Sequence, residues 1–338
     1  MINFCTLFDS YYLDKGIALY KSLERVSNDF TLYIFCFDDR SFEILNEMKF
    51  EHAVIFHHSC FETPELLEKK KERSKAEYCW TCTSITIEYV LENYPVQSCT
   101  YLDSDLYFYA DPAILFKEIY ESKADTVIVE HRFKNDTYGK KLEERNGKYC
   151  VEFNYFTQTV NSRKILTWWK DKCLEWCYDI PDLDRMGDQK YLNQFKTLFD
   201  RVHELQYLGG GVAPWNLEQY ELINKNGYDI TMKDSKQGEF SLIFYHFQNI
   251  RYLPRRKVNI KSQTKDKKLK YAIYIPYLKE IENIRSMLIE KYGMSYEVKG
   301  ITRSSNPIIG FLQKHFAAFK VQSLSDIIDL DGVEKYEY

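Results

Sequence analysis

The alternation of short apolar runs with helical spacings is the feature that most limits how this chain can fold. Ile2–Phe8 is largely apolar and stops at Asp9, and Thr31–Phe37 is similar and stops at Asp38-Asp39. Runs of this length without strict polar alternation mark strands buried on both faces. Leu13, Ile17, Leu19, Tyr20 and Leu23 follow the first run at helical intervals. A helix around residues 42–48 follows the second, and Ala53–Phe56 reads as a third strand. Strand and helix taken in turn make an α/β chain with a mostly parallel central sheet flanked by helices. Ligands of such sheets gather beyond the carboxyl ends of the strands. Asp9 and Asp38 fall there, although Asp38 and Asp39 read first as helix caps and turn formers.

The stretch Thr100–Tyr109 carries the strongest chemical signal. It reads as a buried strand running into Asp103 and Asp105, then leaving through an aromatic segment to Asp111-Pro112. In extended backbone, side chains at i and i+2 point the same way. Two carboxylates at a strand end therefore suit one hard divalent cation, whose preferred ligands are oxygens. Such a cation would neutralise a diphosphate.

The rest of the chain continues the pattern. Residues 64–74 are charged and read as an exposed helix or lid. Residues 77–93 form a helix leading into the central strand, with Lys75 near its start, where a cation can reach a phosphate. A helix over 113–120, a strand over 126–129 and a mobile loop over 134–148 follow. Then come a strand over 152–156, a helix over 162–178 and a helical start at 186–189. Strands are expected at 205–208 and, last, at 240–245. Three glycines open the segment Gly209–Asn216, where the backbone can approach a ligand or turn sharply. No Gly-x-Gly-x-x-Gly or P-loop signature occurs, which removes the main support for dinucleotide or P-loop binding.

Composition narrows the classes further. With 46 basic against 50 acidic residues the chain is not a bulk, non-specific nucleic-acid binder. No window nears 18 consecutive apolar residues, so no membrane-spanning helix is expected. The first residues, Met1–Thr6, lack the pattern of a signal peptide. A cytoplasmic location with reduced thiols is therefore expected, and Cys79-x-x-Cys82, without a second pair, reads as helix packing. Residues 251–270 hold nine basic residues and one acidic one, and helices are expected at 277–291 and 307–320. That basic tail is compatible with peripheral contact at the inner face of a membrane, or with a solvated surface over ordinary packing.

Phe8–Leu13, Tyr101–Asp105, Phe153-Asn154, Gly187–Gln189 and Tyr245–Phe247 occur in the order found in nucleotide-sugar glycosyltransferases of the GT-A fold. The set resembles the retaining family 8 group, which includes glycogenin and bacterial lipopolysaccharide galactosyl- and glucosyltransferases. The resemblance implies a GT-A domain over 1–252, with a Rossmann-like nucleotide-binding half (1–111) and a donor-sugar and acceptor half (112–252). A basic, largely helical extension covers 253–338. The implied activity is metal-dependent transfer of a hexose from a UDP-sugar to a glycan or glycolipid acceptor, with retention, in bacterial surface-polysaccharide synthesis.

By the same resemblance Asp103, Asp105 and His246 would hold the metal, Mn²⁺ in preference to Mg²⁺ because one ligand is an imidazole. Asp9 would accept a hydrogen bond from the uracil ring, and Tyr12 would stack on it beside the backbone of Thr6, Leu7 and Phe8. Ser104 would lie against the donor, and Asn154 and Asp188 would hold sugar hydroxyls. Gln189 would face the anomeric carbon, with Arg251 and Lys75 near the diphosphate. Gly210 and Gly211 are assigned to acceptor or donor-sugar contact. The family's ending His-Phe-x-Gly-x-x-Lys is absent here: His246-Phe-Gln-Asn-Ile-Arg-Tyr252 lacks the glycine and the lysine. Two other readings stand beside this one. One is an inverting transferase using Glu130 or Asp188 as base; the other is a pseudo-enzyme that binds nucleotide sugar or glycan without turnover.

Overall fold

The computed structural model describes residues 1–262, 264–296 and 326–331. Its centre is a seven-stranded sheet in the order β3-β2-β1-β4-β7-β6-β8. The strands are β1 (Ile2–Phe8), β2 (Phe30–Cys36), β3 (Ala53–Phe56), β4 (Ser98–Leu102), β6 (Thr126–Glu130), β7 (Tyr149–Thr157) and β8 (Val202–Glu204). Between β4 and β6 lies the short β5 (Leu106–Phe108). β3, β2, β1 and β4 run parallel, β7 opposes both neighbours, and β8 is parallel to β6.

The crossovers are helical. α1 (Leu13–Val26) joins β1 to β2 and α2 (Asp39–Met48) joins β2 to β3. α3 (Pro64–Glu72) and α4 (Lys75–Asn93) then lead to β4. Later come α5 (Ala113–Ser122), α6 (Thr137–Asn146), α7 (Val160–Glu175), the single turn α8 (Phe195–Leu198) and α9 (Lys267–Tyr292). Side chains alternate across the sheet and divide the core in two. Phe4 and Phe8 of β1 and Leu32, Ile34 and Cys36 of β2 join the layer containing α1 and α9. Cys5, Leu7, Tyr33 and Phe35 join the layer containing α4 and α7. This two-sided burial is why both runs are almost continuously apolar.

Because β2 and β4 lie on opposite sides of β1, chain direction across the sheet reverses there. The crevice outside the carboxyl ends of β1 and β4 is the topological switch point. Asp9 and Asp103 sit at those two ends.

Several local expectations are corrected. The 134–148 segment is α6 rather than a loop: Asp136 caps it by accepting from Gly139 N at 2.8 Å, and Gly147 follows its end with φ +91°. Its glycines mark helix boundaries. The expected strand at 205–208 is displaced to β8, just before it. The expected strand 240–245 divides into β11 (Gly238–Ser241) and β12 (Phe244–His246). β11 closes a meander with β9 (Tyr220–Asn226) and β10 (Asp229–Asp234), joined by a turn at Gly227 with φ +60°. Nor is that strand the last: β13 (Arg251–Leu253), β14 (Lys257–Asn259) and β15 (Ile327–Asp329) form a further small sheet.

α9 begins ten residues before the expected 277, because its basic first turns are not all solvated. Lys270 is 1% exposed and pairs with Asp326 at 3.1 Å. The apolar face of α9 lies on α1 and on β12: Tyr274 Oη meets Tyr245 Oη at 2.7 Å, and Tyr277 stacks on Phe247 at 3.7 Å. The helix expected at 307–320 lies outside the described residues. Among the described residues, no helix is long and apolar enough to cross a membrane.

One ion pair ties α9 to α1. Asp14 is 1% exposed and accepts from Arg285 Nε at 2.6 Å, while Arg285 also covers the Tyr252 ring. Arg285→Ala leaves that carboxylate buried alone and should cost about 3 kcal/mol in urea unfolding. A loss near zero would mean that the apolar face alone holds α9.

Candidate active site

β4 does not run through the acidic pair. It ends at Leu102, and Asp103–Leu106 is a turn closed by Leu106 N donating to Asp103 O at 3.1 Å. The expected pleat, with i and i+2 on one face, is therefore not what aligns the two acids. A turn brings them together, as an Asp-Ser sequence favours.

β12 then delivers the imidazole. It pairs antiparallel with β5, placing His246 opposite Leu106, and Phe247 N donates to Asp105 O at 2.9 Å. His246 Nε2 lies 3.0 Å from Asp105 Oδ1 and 3.6 Å from Asp103 Oδ2. Its Nδ1 lies 2.7 Å from Glu152 Oε2 on β7, and Asp103 N donates to Glu152 O at 3.1 Å.

Glu152 went unnoticed in the sequence. A fully buried glutamate next to a histidine ring fixes the ring's orientation and leaves Nε2 facing the two aspartates. Its sequence signal is the pair Glu152 and Asn154 at alternate positions of an otherwise apolar strand. Trp215 closes the other side, edge-on to His246 at 5.4 Å, with its Nε1 donating to His131 O at 2.8 Å.

The electrostatics are those of acids crowded around one ring. Burial pushes Asp103 up to about 6; the charge of His246 opposes this, and Asp105 and Glu152 add to it. Burial acts on Asp105 in the same direction, but the charge and hydrogen bond of His246 outweigh it and carry Asp105 down to about 2. Burial disfavours a charged His246, yet Asp105 and Glu152 hold its pKa well above the ordinary value.

Asp188 belongs to the same crevice. Burial raises it to about 7, helped by the charge of Asp103, and its Oδ2 has no hydrogen-bond partner. Asn154 is fully buried; its Nδ2 donates to Val151 O at 2.7 Å and its Oδ1 is unpartnered. At the β1 end, Asp9 Oδ1 accepts from Tyr11 N at 3.0 Å and Lys75 Nζ lies 3.6 Å from Asp9 Oδ2. Tyr12 is partly exposed. Burial of its hydroxyl, then the charges of Asp105, Asp103 and Asp9, raise its pKa, and Lys15 Nζ sits 3.6 Å from its ring centre.

Asp9, Tyr12, Asp103, Asp105, Asp188 and His246 thus share one region, with Ser104 in the turn between the metal-ligand candidates and Thr6, Leu7 and Phe8 buried in β1. The remaining candidates are Gln189, Arg251, Gly210 and Gly211. Gln189 Nε2 donates to Asn146 O at 3.0 Å, at the end of α6. Arg251 opens β13, opposite Asn259. Gly210 and Gly211 serve close packing. A Cβ on Gly210 would lie 2.8 Å from Leu205, and one on Gly211, whose φ is +93°, would lie 3.0 Å from Glu152 Oε1. Their loop supports the histidine, since His246 N donates to Val212 O at 3.0 Å. Asp38 caps α2 and also accepts from Ser10 N and Oγ at 2.9 and 2.7 Å, the capping role read first for it. Glu130 is engaged by Lys148 at 2.5 Å. All nine cysteines are free thiols, with Cys82 packed into the core from α4.

No protein-family model matches the chain. It is 33% identical to the uncharacterized protein YfnF of Bacillus subtilis (strain 168), over 73% of this chain and 81% of YfnF. The chain belongs to the YfnF family. A second Bacillus subtilis protein, the uncharacterized YfnD, is 28% identical over 82% of this chain and 87% of its own length. Among solved structures, an active-site variant of LgtC superposes with a TM-score of 0.51 at 11% identity, covering 83% of this chain and 96% of that one. At that identity the likeness shows the fold. This YfnF-family chain has a GT-A fold resembling family 8, built on a mostly parallel sheet.

Proposed function

We propose that this chain is a metal-dependent glycosyltransferase that moves a hexose from a UDP-sugar to a glycan or glycolipid acceptor, with retention, in bacterial surface-polysaccharide synthesis. The observation that carries the reading is the convergence of Asp103, Asp105 and His246 Nε2, with Glu152 behind the ring, at the switch point of a GT-A sheet. LgtC, named as a galactosyltransferase, shares this architecture.

The residues fit a divalent cation. Two carboxylates and one imidazole suit Mn²⁺ better than Mg²⁺. Nearby, Glu152 Oε1, Asn154 Oδ1 and Asp188 Oδ2 are buried without partners, a pattern that calls for an ion, water or ligand. Bound between Asp103, Asp105 and His246, the metal would supply positive charge to the departing diphosphate. Asp9 and Tyr12 receive the uracil ring against Thr6, Leu7 and Phe8, while Lys75 at the start of α4 offers its ammonium to phosphate. Ser104 faces the donor, Asn154 and Asp188 orient sugar hydroxyls, and Gln189 stands by the anomeric carbon. Arg251 and the backbone of Gly210 and Gly211 complete the donor and acceptor side. The basic C-terminal region, which starts with the nine basic residues of 251–270, is assigned to peripheral contact with the inner membrane face, near a glycolipid acceptor.

A second reading has its own observation. Asp188, raised to about 7, is poised to take a proton near neutral pH, as the base of an inverting transferase would. Incubating the chain with UDP-hexoses, Mn²⁺ and glycan acceptors, and following the anomeric proton by NMR, separates the readings. An α-linked product from an α-linked donor supports retention, a β-linked product supports the Asp188 reading, and neither transfer nor hydrolysis from any donor contradicts both.

Glu152→Gln keeps the shape behind His246 but removes the charge. It should weaken Mn²⁺ binding by about 10- to 100-fold in calorimetry. Unchanged affinity would mean that His246 needs no support from β7.

A further inference from the structure

A second group of ligating side chains lies at the carboxyl end of β3, away from the acidic turn. Asp39 is the first residue of α2, and His57 and His58 follow β3 directly. His57 Nε2 lies 2.7 Å, and His58 Nε2 3.1 Å, from the same atom, Asp39 Oδ1. The two rings are tilted by 36° with centres 4.0 Å apart, and the edge contact of Phe42 on His57, at 5.0 Å, helps hold the pair.

Each ring is also engaged at its other nitrogen. His58 Nδ1 lies 2.9 Å from Glu62 Oε2, and His57 Nδ1 lies 2.8 Å from Ser59 Oγ. Glu62 is a fixed partner: its side chain is 5% exposed and its other oxygen takes Lys70 Nζ at 2.6 Å and Tyr78 Oη at 2.9 Å.

One ligand atom from each of Asp39, His57 and His58 lies within 4.8 Å of the others, close enough to share one cation. His58 has a carboxylate at both nitrogens, while a neutral imidazole has only one N–H. With that N–H given to Glu62, the lone pair of Nε2 faces an Asp39 oxygen. Without a metal, His58 must carry protons on both nitrogens, while a neutral His57, whose Nδ1 accepts from Ser59 N at 3.3 Å, donates its Nε2–H to Asp39. A divalent ion would take the place of the two Nε2 protons. One divalent ion accepts both Nε2 lone pairs and the Asp39 carboxylate together. The carboxylate behind a ligating histidine is the usual support of such sites.

We propose that Asp39, His57 and His58 bind one Zn²⁺-like transition-metal ion. Two imidazoles and one carboxylate on an exposed edge select Zn²⁺ over Mg²⁺ or Ca²⁺ and leave an open position for water. The ion would pin the start of α2 to the end of β3. Its effect on the rest of the molecule is local and structural. Asp38, next to Asp39, holds Ser10 in the loop between β1 and α1, so the pinned edge borders the nucleotide side of the crevice.

The test is calorimetry with Zn²⁺ on the double variant Asp103→Asn/Asp105→Asn, which removes the first metal set. One equivalent of Zn²⁺ is expected to bind, and Mn²⁺ is expected not to displace it. Adding His57→Gln and His58→Gln should abolish that binding, and Glu62→Gln should weaken it by about 10- to 100-fold. X-ray absorption at the zinc edge should report two imidazole nitrogens. Circular dichroism of each variant checks that the fold is kept. Absence of bound Zn²⁺ in the double variant, or the same affinity after both histidines are replaced, would overturn the proposal. Because sugar transfer is not the readout, the result is independent of the glycosyltransferase reading.

Discussion

Asp103→Asn and Asp105→Asn are each expected to lower sugar transfer by about a thousandfold or more, yet to move the stability of the metal-free chain in opposite directions. The first expectation follows from removing one of only two carboxylates available to the cation, whose charge stabilisation is worth several kcal/mol in such reactions. The second follows from the two acids' different surroundings. Asp103 is raised to about 6 by burial, despite the opposing charge of His246 and with help from Asp105 and Glu152. A carboxyl that holds its proton more tightly when folded stabilises most below its unfolded pKa near 4, and that contribution is lost as the pH rises through about 6. At pH 7.5 its ionised form is a liability, so Asp103→Asn should stabilise the metal-free fold by on the order of 2 kcal/mol.

Asp105 is the reverse. Burial disfavours its charge, but His246 overcomes that and holds it near 2. Its contribution is present above pH 4 and is lost as the pH falls through about 2, so Asp105→Asn should destabilise at pH 7.5 by on the order of 2 kcal/mol. Urea unfolding of both variants at pH 4 and 7.5, without metal, reads the difference. Equal shifts of one sign would show that His246 does not discriminate between the two acids.

Asp188→Asn carries the second large effect: a loss of about a hundredfold in transfer, with a pH profile that reports the role. Burial first, and then Asp103, raise Asp188 to about 7, so ionising it weakens the metal-free fold as pH rises from about 4 to 7. Asparagine removes that penalty, and the variant should outlast the parent at pH 8 but not at pH 4. If Asp188 orients a sugar hydroxyl, its loss should raise KM and lower kcat while the shape of the pH–rate profile is kept. If it is a base, the acid limb near pH 7 should vanish with it. A variant with full activity would remove Asp188 from the site altogether.

The first strands of the sheet were legible because their signals are local. The apolar runs of β1, β2 and β3 are consecutive, and the two-sided burial of β1 and β2 leaves no alternation to misread. Asp103 and Asp105 converge as expected but for another reason: a turn, rather than an extended pleat, brings them together. Glu152 was missed because its importance is non-local. It becomes visible only when β7 inserts antiparallel beside β4 and β12 returns beside β5. The α6 segment was misread because Gly139 and Gly147 look like loop residues, yet they mark the start and end of a helix. The early start of α9 was hidden by lysines, and Lys270 is buried only because Asp326, 56 residues later, reaches it. Such long-range pairing leaves no trace in a window of sequence.

The central claim is that a cation held by Asp103, Asp105 and His246 takes up the charge leaving with the nucleotide. Calorimetric titration of UDP into the chain, once in EDTA and once in Mn²⁺, tests it most directly. Binding is predicted only with Mn²⁺, at one UDP per chain, and its loss is predicted in Asp103→Asn/Asp105→Asn. UDP that bound equally well in EDTA, or bound the double variant as tightly as the parent, would contradict it.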